Sequence, residues 1–153
     1  MAKILSPTRG GEKSYPNQDY AIKLAKEIGA ELLFSYVSDV TFLDQQSSPM
    51  LLDVVAELEE MGEFLLSMVQ ERAIKYGVNA ETVVRSGDFH EVLNELIQKY
   101  EISILVLGSS ASETGLTTDE FMLTLSQDLA DKHGIEVLLV RNGELINSTS
   151  KSS

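Results

Sequence analysis

Five short apolar runs alternate with helix-length amphipathic stretches, and this alternation leaves few folds open to the chain. The runs are Lys3–Ser6, Glu31–Val37, Ala80–Arg85, Ile102–Leu107 and Ile135–Val140. Their length and enrichment in Val, Ile and Leu suit buried strands. Between them, apolar residues recur at helical spacing. Tyr20, Ala21, Leu24, Ala25 and Ile28 form one stripe, closed by Gly29 at the position where a left-handed residue ends a helix. Ser48-Pro49 reads as a serine cap with proline at the first helical position. It opens a long helix with Leu51, Val54, Val55, Leu58, Met61, Leu65, Met68, Val69 and Ala73 on its inner face, ending near Tyr76-Gly77. The methionines at 61 and 68 are read as core packing. Asp88 and Glu91 make a capping-box-like pair ahead of Val92, Leu93, Leu96, Ile97 and Tyr100. Thr117 and Glu120 repeat that pattern before Phe121, Met122, Leu125 and Leu129, and the last helix stops at His133-Gly134. Ser38–Ser47 and Ser109–Thr117 read as polar loops.

Strands alternating with helices imply an α/β fold, an open parallel sheet of five strands with helices on both faces. Right-handed crossovers leave few topologies. Where the winding reverses, the carboxyl ends of two neighbouring strands open a crevice that receives ligands. Strands 1 and 4 are the natural pair. Their exit turns are Pro7–Gly11 and Gly108–Ser112, and the cleft between them is the expected site.

At 153 residues the chain suits one domain. A net charge of −12 repels a phosphate backbone, so nucleic acid is a poor partner. No apolar run approaches a membrane span, and membrane insertion is not expected. The first residues lack the apolar region of a signal peptide. No cysteine is present, which removes disulfides and thiolate chemistry. A cytoplasmic location is the expectation. His133 reads as a helix-end residue whose partial charge suits the dipole, and His90 has no metal-ligand spacing around it. Neither a nucleophile elbow nor a Walker A motif occurs. Acidic pairs such as Glu59-Glu60 read as a solvated helix face. No enzymatic activity is expected.

The opening Lys-Ile-Leu-Ser-Pro-Thr-Arg-Gly-Gly-Glu resembles the first strand and turn of the universal stress proteins (UspA-like). The helix Tyr20–Ile28 with Gly-Ala-Glu-Leu, the turn Arg85-Ser86-Gly87-Asp88, the stretch Ile104–Ser109 and the run Ile135–Val140 resemble that family in order and spacing. The resemblance covers residues 2–141 as one domain, and leaves 142–153 as a polar tail expected to fray. It implies the adenine nucleotide alpha hydrolase-like fold, with strand order 3-2-1-4-5. It also implies a stress-response or regulatory role.

Members of the family that bind ATP usually carry an aspartate in the first turn and a glycine series running from strand 4 into the last helix. Here Arg9 stands at the aspartate position and Ala111 at the second glycine. Leu123-Thr124 falls on the late glycine-serine pair. Glycines admit the backbone close to phosphates, and an aspartate accepts from ribose hydroxyls where an arginine cannot. Conventional ATP binding is therefore not expected, and no cofactor is. The alternative is a crevice rebuilt for AMP, ATP or another anion, with Thr8, Arg9, Gly10, Val37, Gly108, Ser109, Ser110, Ser112 and Thr124 as contact residues. Arg9 is either an anion contact or a structural arginine paired with Asp19 or Glu113. A further alternative is a module that docks on a transporter or another protein.

In the implied order Ile135–Val140 is an edge strand with one charge, Glu136, and no proline. A bare apolar edge invites pairing. The resemblance likewise implies a homodimer through this strand, unless the polar tail folds back over it.

Overall fold

The computed structural model describes residues 2–38, 49–109 and 116–152, with the side chains of the second and fourth helices described from Asp53 and Glu120 onward. The elements run β1 (Lys3–Pro7), a short 3-10 turn (Glu12–Ser14), α1 (Tyr15–Ile28), β2 (Glu31–Ser38), α2 (Pro49–Lys75) and β3 (Ala80–Ser86). They continue with α3 (Phe89–Lys99), β4 (Ile104–Gly108), α4 (Leu116–His133), β5 (Glu136–Arg141) and β6 (Glu144–Thr149). Among the described residues no helix is long and apolar enough to cross a membrane.

The sheet order is β3-β2-β1-β4-β5-β6. The first five strands are parallel. β1 lies between β2 and β4, with Ile4 opposite both Leu32 and Ile104. Strand alternation sends successive β1 residues to opposite faces. Ile4 joins Ala21, Ile22, Leu66, Val69 and Ala73 from α1 and α2, whereas Leu5 joins Leu93, Leu96, Leu125 and Leu129 from α3 and α4. The two faces are thus covered by consecutive helix pairs, and the winding reverses at β1–β4.

Local signals act as expected at several ends. Gly29 closes α1 with φ 67, its N–H donating to the Ala25 carbonyl. Asp88 caps α3, its carboxylate accepting the Glu91 N–H at 3.0 Å. α1 begins earlier than its apolar stripe, at Tyr15, with Pro16 in its first turn. Ser48, read as the cap of α2, lies outside the described residues, as do the side chain of Thr117 and its capping box.

The expected five-stranded parallel sheet is instead six-stranded and mixed. Residues 144–149 of the expected tail pair with β5 as antiparallel β6. Asn142 (φ 51) and Gly143 (φ 80) form the turn between them. Two positive-φ residues match the right-handed twist of a two-residue hairpin, and Asn-Gly accepts them cheaply. Beyond β6, Ser152 N–H donates to Asp131 Oδ1 at 2.7 Å, and Gln127 Nε2 donates to the Ser150 carbonyl at 3.2 Å. The Ser152 N–H, the largest influence, holds the Asp131 carboxyl below its usual pKa. β5 is therefore not the sheet edge. Ile135–Val140 offers no open edge for the expected dimer, because β6 already takes the hydrogen bonds on that side of the strand.

Two further expectations change. Met61 and Met68 are exposed rather than packed in the core, and so is Phe121. His133, at the end of α4, is also tied to α3. Its Nε2 donates to Asn94 Oδ1 at 2.7 Å, bridging α4 to α3. Burial, with Lys132 secondary, pushes its pKa down from the usual imidazole value.

A chain ending at Arg141 bares β5 and is expected to show a higher mass in light scattering than the full chain at equal concentration. Equal masses and equal melting temperatures would contradict the guarding role of β6. For His133, the unfolded state takes a proton near pH 6.5, before the folded state does, so stability is lost as pH falls from about 6.5 toward the lowered folded value. Denaturant titrations of wild type and His133→Gln from about pH 5 to 8 are expected to show that slope flattened in the variant.

Candidate functional site

Three chain reversals meet at the carboxyl end of the sheet: the exit of β1, the exit of β4 and the β5–β6 turn. The β1 exit is held from beneath. Thr8 N–H donates to the Ser35 carbonyl of β2 at 2.8 Å. Thr8 Oγ1 accepts from Gly10 N–H at 3.1 Å and from Gln18 Nε2 at 2.8 Å. Gln18, buried in α1, passes the connection on, because its Oε1 accepts from Arg72 Nη1 of α2. Arg72 also pairs with Asp19 and lies over the Tyr15 ring, 4.0 Å from its centre. A buried amide with both ends satisfied fixes a side chain rigidly. The turn is therefore set by a polar chain running from α2 through α1 to Thr8.

Gly10 is required by two independent constraints. Its φ is +74, and a Cβ there would stand 2.6 Å from Leu65 Cδ1 of α2. On the β4 side, a Cβ on Gly108 would stand 2.9 Å from Asn17 Nδ2. Asn17 Oδ1 accepts the Gly143 N–H at 2.9 Å, so the first turn of α1 braces both the β4 exit and the β5–β6 turn. Ser109 is buried, and its N–H donates to the Val140 carbonyl at 2.7 Å. Arg141 Nη2 donates to Ser109 Oγ at 3.0 Å, placing a guanidinium at the end of β5 beside the β4 exit.

Thr8, Arg9, Gly10, Gly108 and Ser109 thus lie on the two adjoining exits. Arg9 is exposed, and among the described residues it has no ion pair; Asp19, one of its expected partners, is taken by Arg72. Glu113, Ser110 and Ser112 lie outside the described residues. Val37, near the carboxyl end of β2, packs against the α3/α4 cluster. Ser35, beside Pro7 in the ladder, is fully buried, and its hydroxyl has no hydrogen-bond partner among the described residues. Thr124 is not brought to the turns. It lines a separate hollow of about 390 Å³ with His90, Glu120, Phe121, Leu125 and Asp128. Sequence reasoning missed Gln18, Arg72 and Arg141. Only Arg141 carried a local signal, as a lone cation directly after an apolar strand.

A hollow of about 520 Å³ opens at the opposite, amino end of β1, β2 and β3, between Lys3, Gly29, Glu31, Asn79 and Ile102. Open parallel sheets bind ligands at the carboxyl ends, so the crevice is the better candidate. Among the described residues no group of three or more His, Asp or Glu could hold a metal ion.

The model of the universal stress protein family matches residues 1–141. The chain belongs to the universal stress protein family. Universal stress protein YxiE of Bacillus subtilis is 31% identical over 149 residues, covering 91% of this chain and 98% of that one. Among solved structures, a universal stress protein in complex with cAMP aligns with TM-score 0.65 at 18% identity, over 91% of this chain and 96% of that one. A universal stress protein family protein from Arabidopsis thaliana with AMP bound aligns with TM-score 0.57 at 18% identity, over 92% of each chain. These likenesses support the α/β class of the fold.

Gly10→Ala is expected to destabilise the fold by about 2–5 kcal/mol, the sum of a left-handed backbone cost and overpacking against Leu65. Chemical denaturation measures it directly. A loss below about 1 kcal/mol would mean that α2 does not hold this turn closely.

Proposed function

We propose that this member of the family is a non-enzymatic stress-response domain whose crevice binds an adenine nucleotide or a similar small anion through arginine contacts. The observation that carries the reading is the pair of guanidinium groups, Arg9 and Arg141, on neighbouring reversals around Gly108 and Ser109. In a chain of net charge −12, arginines on these exits would give an anion local donors against the general field. Arginine presents a planar fork suited to phosphate oxygens. Two relatives of the same fold hold cAMP and AMP, which supports an adenine nucleotide as the first ligand to test.

The contacts differ from a glycine-built phosphate cradle. Leu65 closes over Gly10, and leucine and threonine, Leu123-Thr124, stand at the late glycine-serine position. Backbone donors therefore give way to side-chain cations. One phosphate suits two arginines better than a triphosphate chain that needs a long row of N–H donors. The expected preference is a nucleoside monophosphate over ATP.

Thermal shift with AMP, cAMP, ATP and inorganic phosphate tests this. A ligand at 100 times its Kd stabilises by about 2.7 kcal/mol, or roughly 5–10 °C for a chain of this size. Arg9→Ala is expected to lower the affinity by about tenfold or more while leaving the free protein's melting unchanged, as expected for loss of a charged contact at an exposed residue. No shift with any of the four compounds would contradict the reading.

A further inference from the structure

α2 has two apolar sides, and among the described residues only one of them is covered. Leu66, Val69 and Ala73 are buried against the sheet. Val54, Met61 and Met68 recur at intervals of seven, and Phe64 lies one turn from both methionines. Residues at these spacings share a face. All four are exposed, Phe64 to 64%. An aromatic ring this open, among flexible thioethers, is the composition of an adaptable binding surface.

The charge around the stripe is of one sign. From Asp53 to Glu71 the helix carries Asp53, Glu57, Glu59, Glu60, Glu63 and Glu71, with no lysine or arginine. Glu57 stands one turn from Val54 and Met61, Glu60 one turn from Phe64, and Glu71 one turn from Met68. Arg72 does not offset them, because it turns inward to Gln18 and Asp19.

We propose that the outer face of α2 is a docking surface for a basic amphipathic helix of a partner protein. The apolar stripe would receive the partner's apolar face, and the acidic rim its lysines and arginines. The rim decides against other occupants. A second copy would set acid against acid. An anionic lipid surface or a nucleic acid would be repelled. This site is separate from the crevice and stands whether or not a nucleotide binds there. The same helix touches the crevice turn on its inner side through Leu65, so the two ligand faces share one element.

The probe is a labelled 18-residue helical peptide of leucines and lysines with an apolar face, followed by fluorescence anisotropy against the full chain. A scrambled peptide of the same composition and a leucine–glutamate version serve as comparisons. Saturable binding of the amphipathic basic peptide alone is expected, weakened about tenfold or more by Phe64→Ser and by the pair Glu57→Lys and Glu60→Lys. Ile146→Ser, at an exposed apolar position on β6, is expected to leave it unchanged. Absence of binding would overturn the proposal. So would equal binding of the scrambled peptide, or binding indifferent to Phe64→Ser. A concentration-dependent mass of the protein alone that Phe64→Ser abolishes would overturn it in favour of a second copy.

Discussion

Everything in this fold turns on β1, a five-residue strand paired in parallel on both sides. Ile4 and Leu5 are each fully buried, one beneath α1 and α2, the other beneath α3 and α4. Because the strand has a neighbour on either edge, the chain must wind away from it in two directions. Right-handed crossovers then force the first two helices onto one face and the next two onto the other. The crevice is the geometric consequence of that reversal, and its place at the β1 and β4 exits does not depend on what binds there.

The parts of the molecule that bury apolar surface were legible in the sequence. The five parallel strands announce themselves as continuous apolar runs, and Gly29 and Asp88 mark helix ends through local chemistry. β6 left no such trace. It buries little beyond Thr149 and is held by backbone hydrogen bonds, so its residues read as polar. The Asn142-Gly143 pair is a hairpin signal, but Leu145 and Ile146 are adjacent rather than alternating, which hides the second strand. Met61 and Met68 fail for a different reason. The apolar arc of α2 spans about half the helix, and periodicity identifies an apolar face without saying which part of it meets the sheet.

The candidate site is legible in position more than in chemistry. Thr8, Arg9, Gly10, Gly108 and Ser109 sit where the fold class puts them. The chain Arg72–Gln18–Thr8 joins residues far apart in sequence, and no local pattern encodes such a contact. Thr124 falls on the family's late serine position in the sequence, and α4 carries it to a hollow with His90 and Asp128. What emerges is a crevice whose backbone is tightly set and whose charge comes from side chains.

The direct test of that account is an amide shift map of the protein on adding AMP. Shifts concentrated at Thr8–Gly11, Gly108–Ser109 and Arg141 would be the signature of a ligand seated at the winding reversal between two arginines. Shifts gathered instead around Lys3, Gly29 and Asn79 at the amino end of the sheet, or no shifts at all, would contradict it.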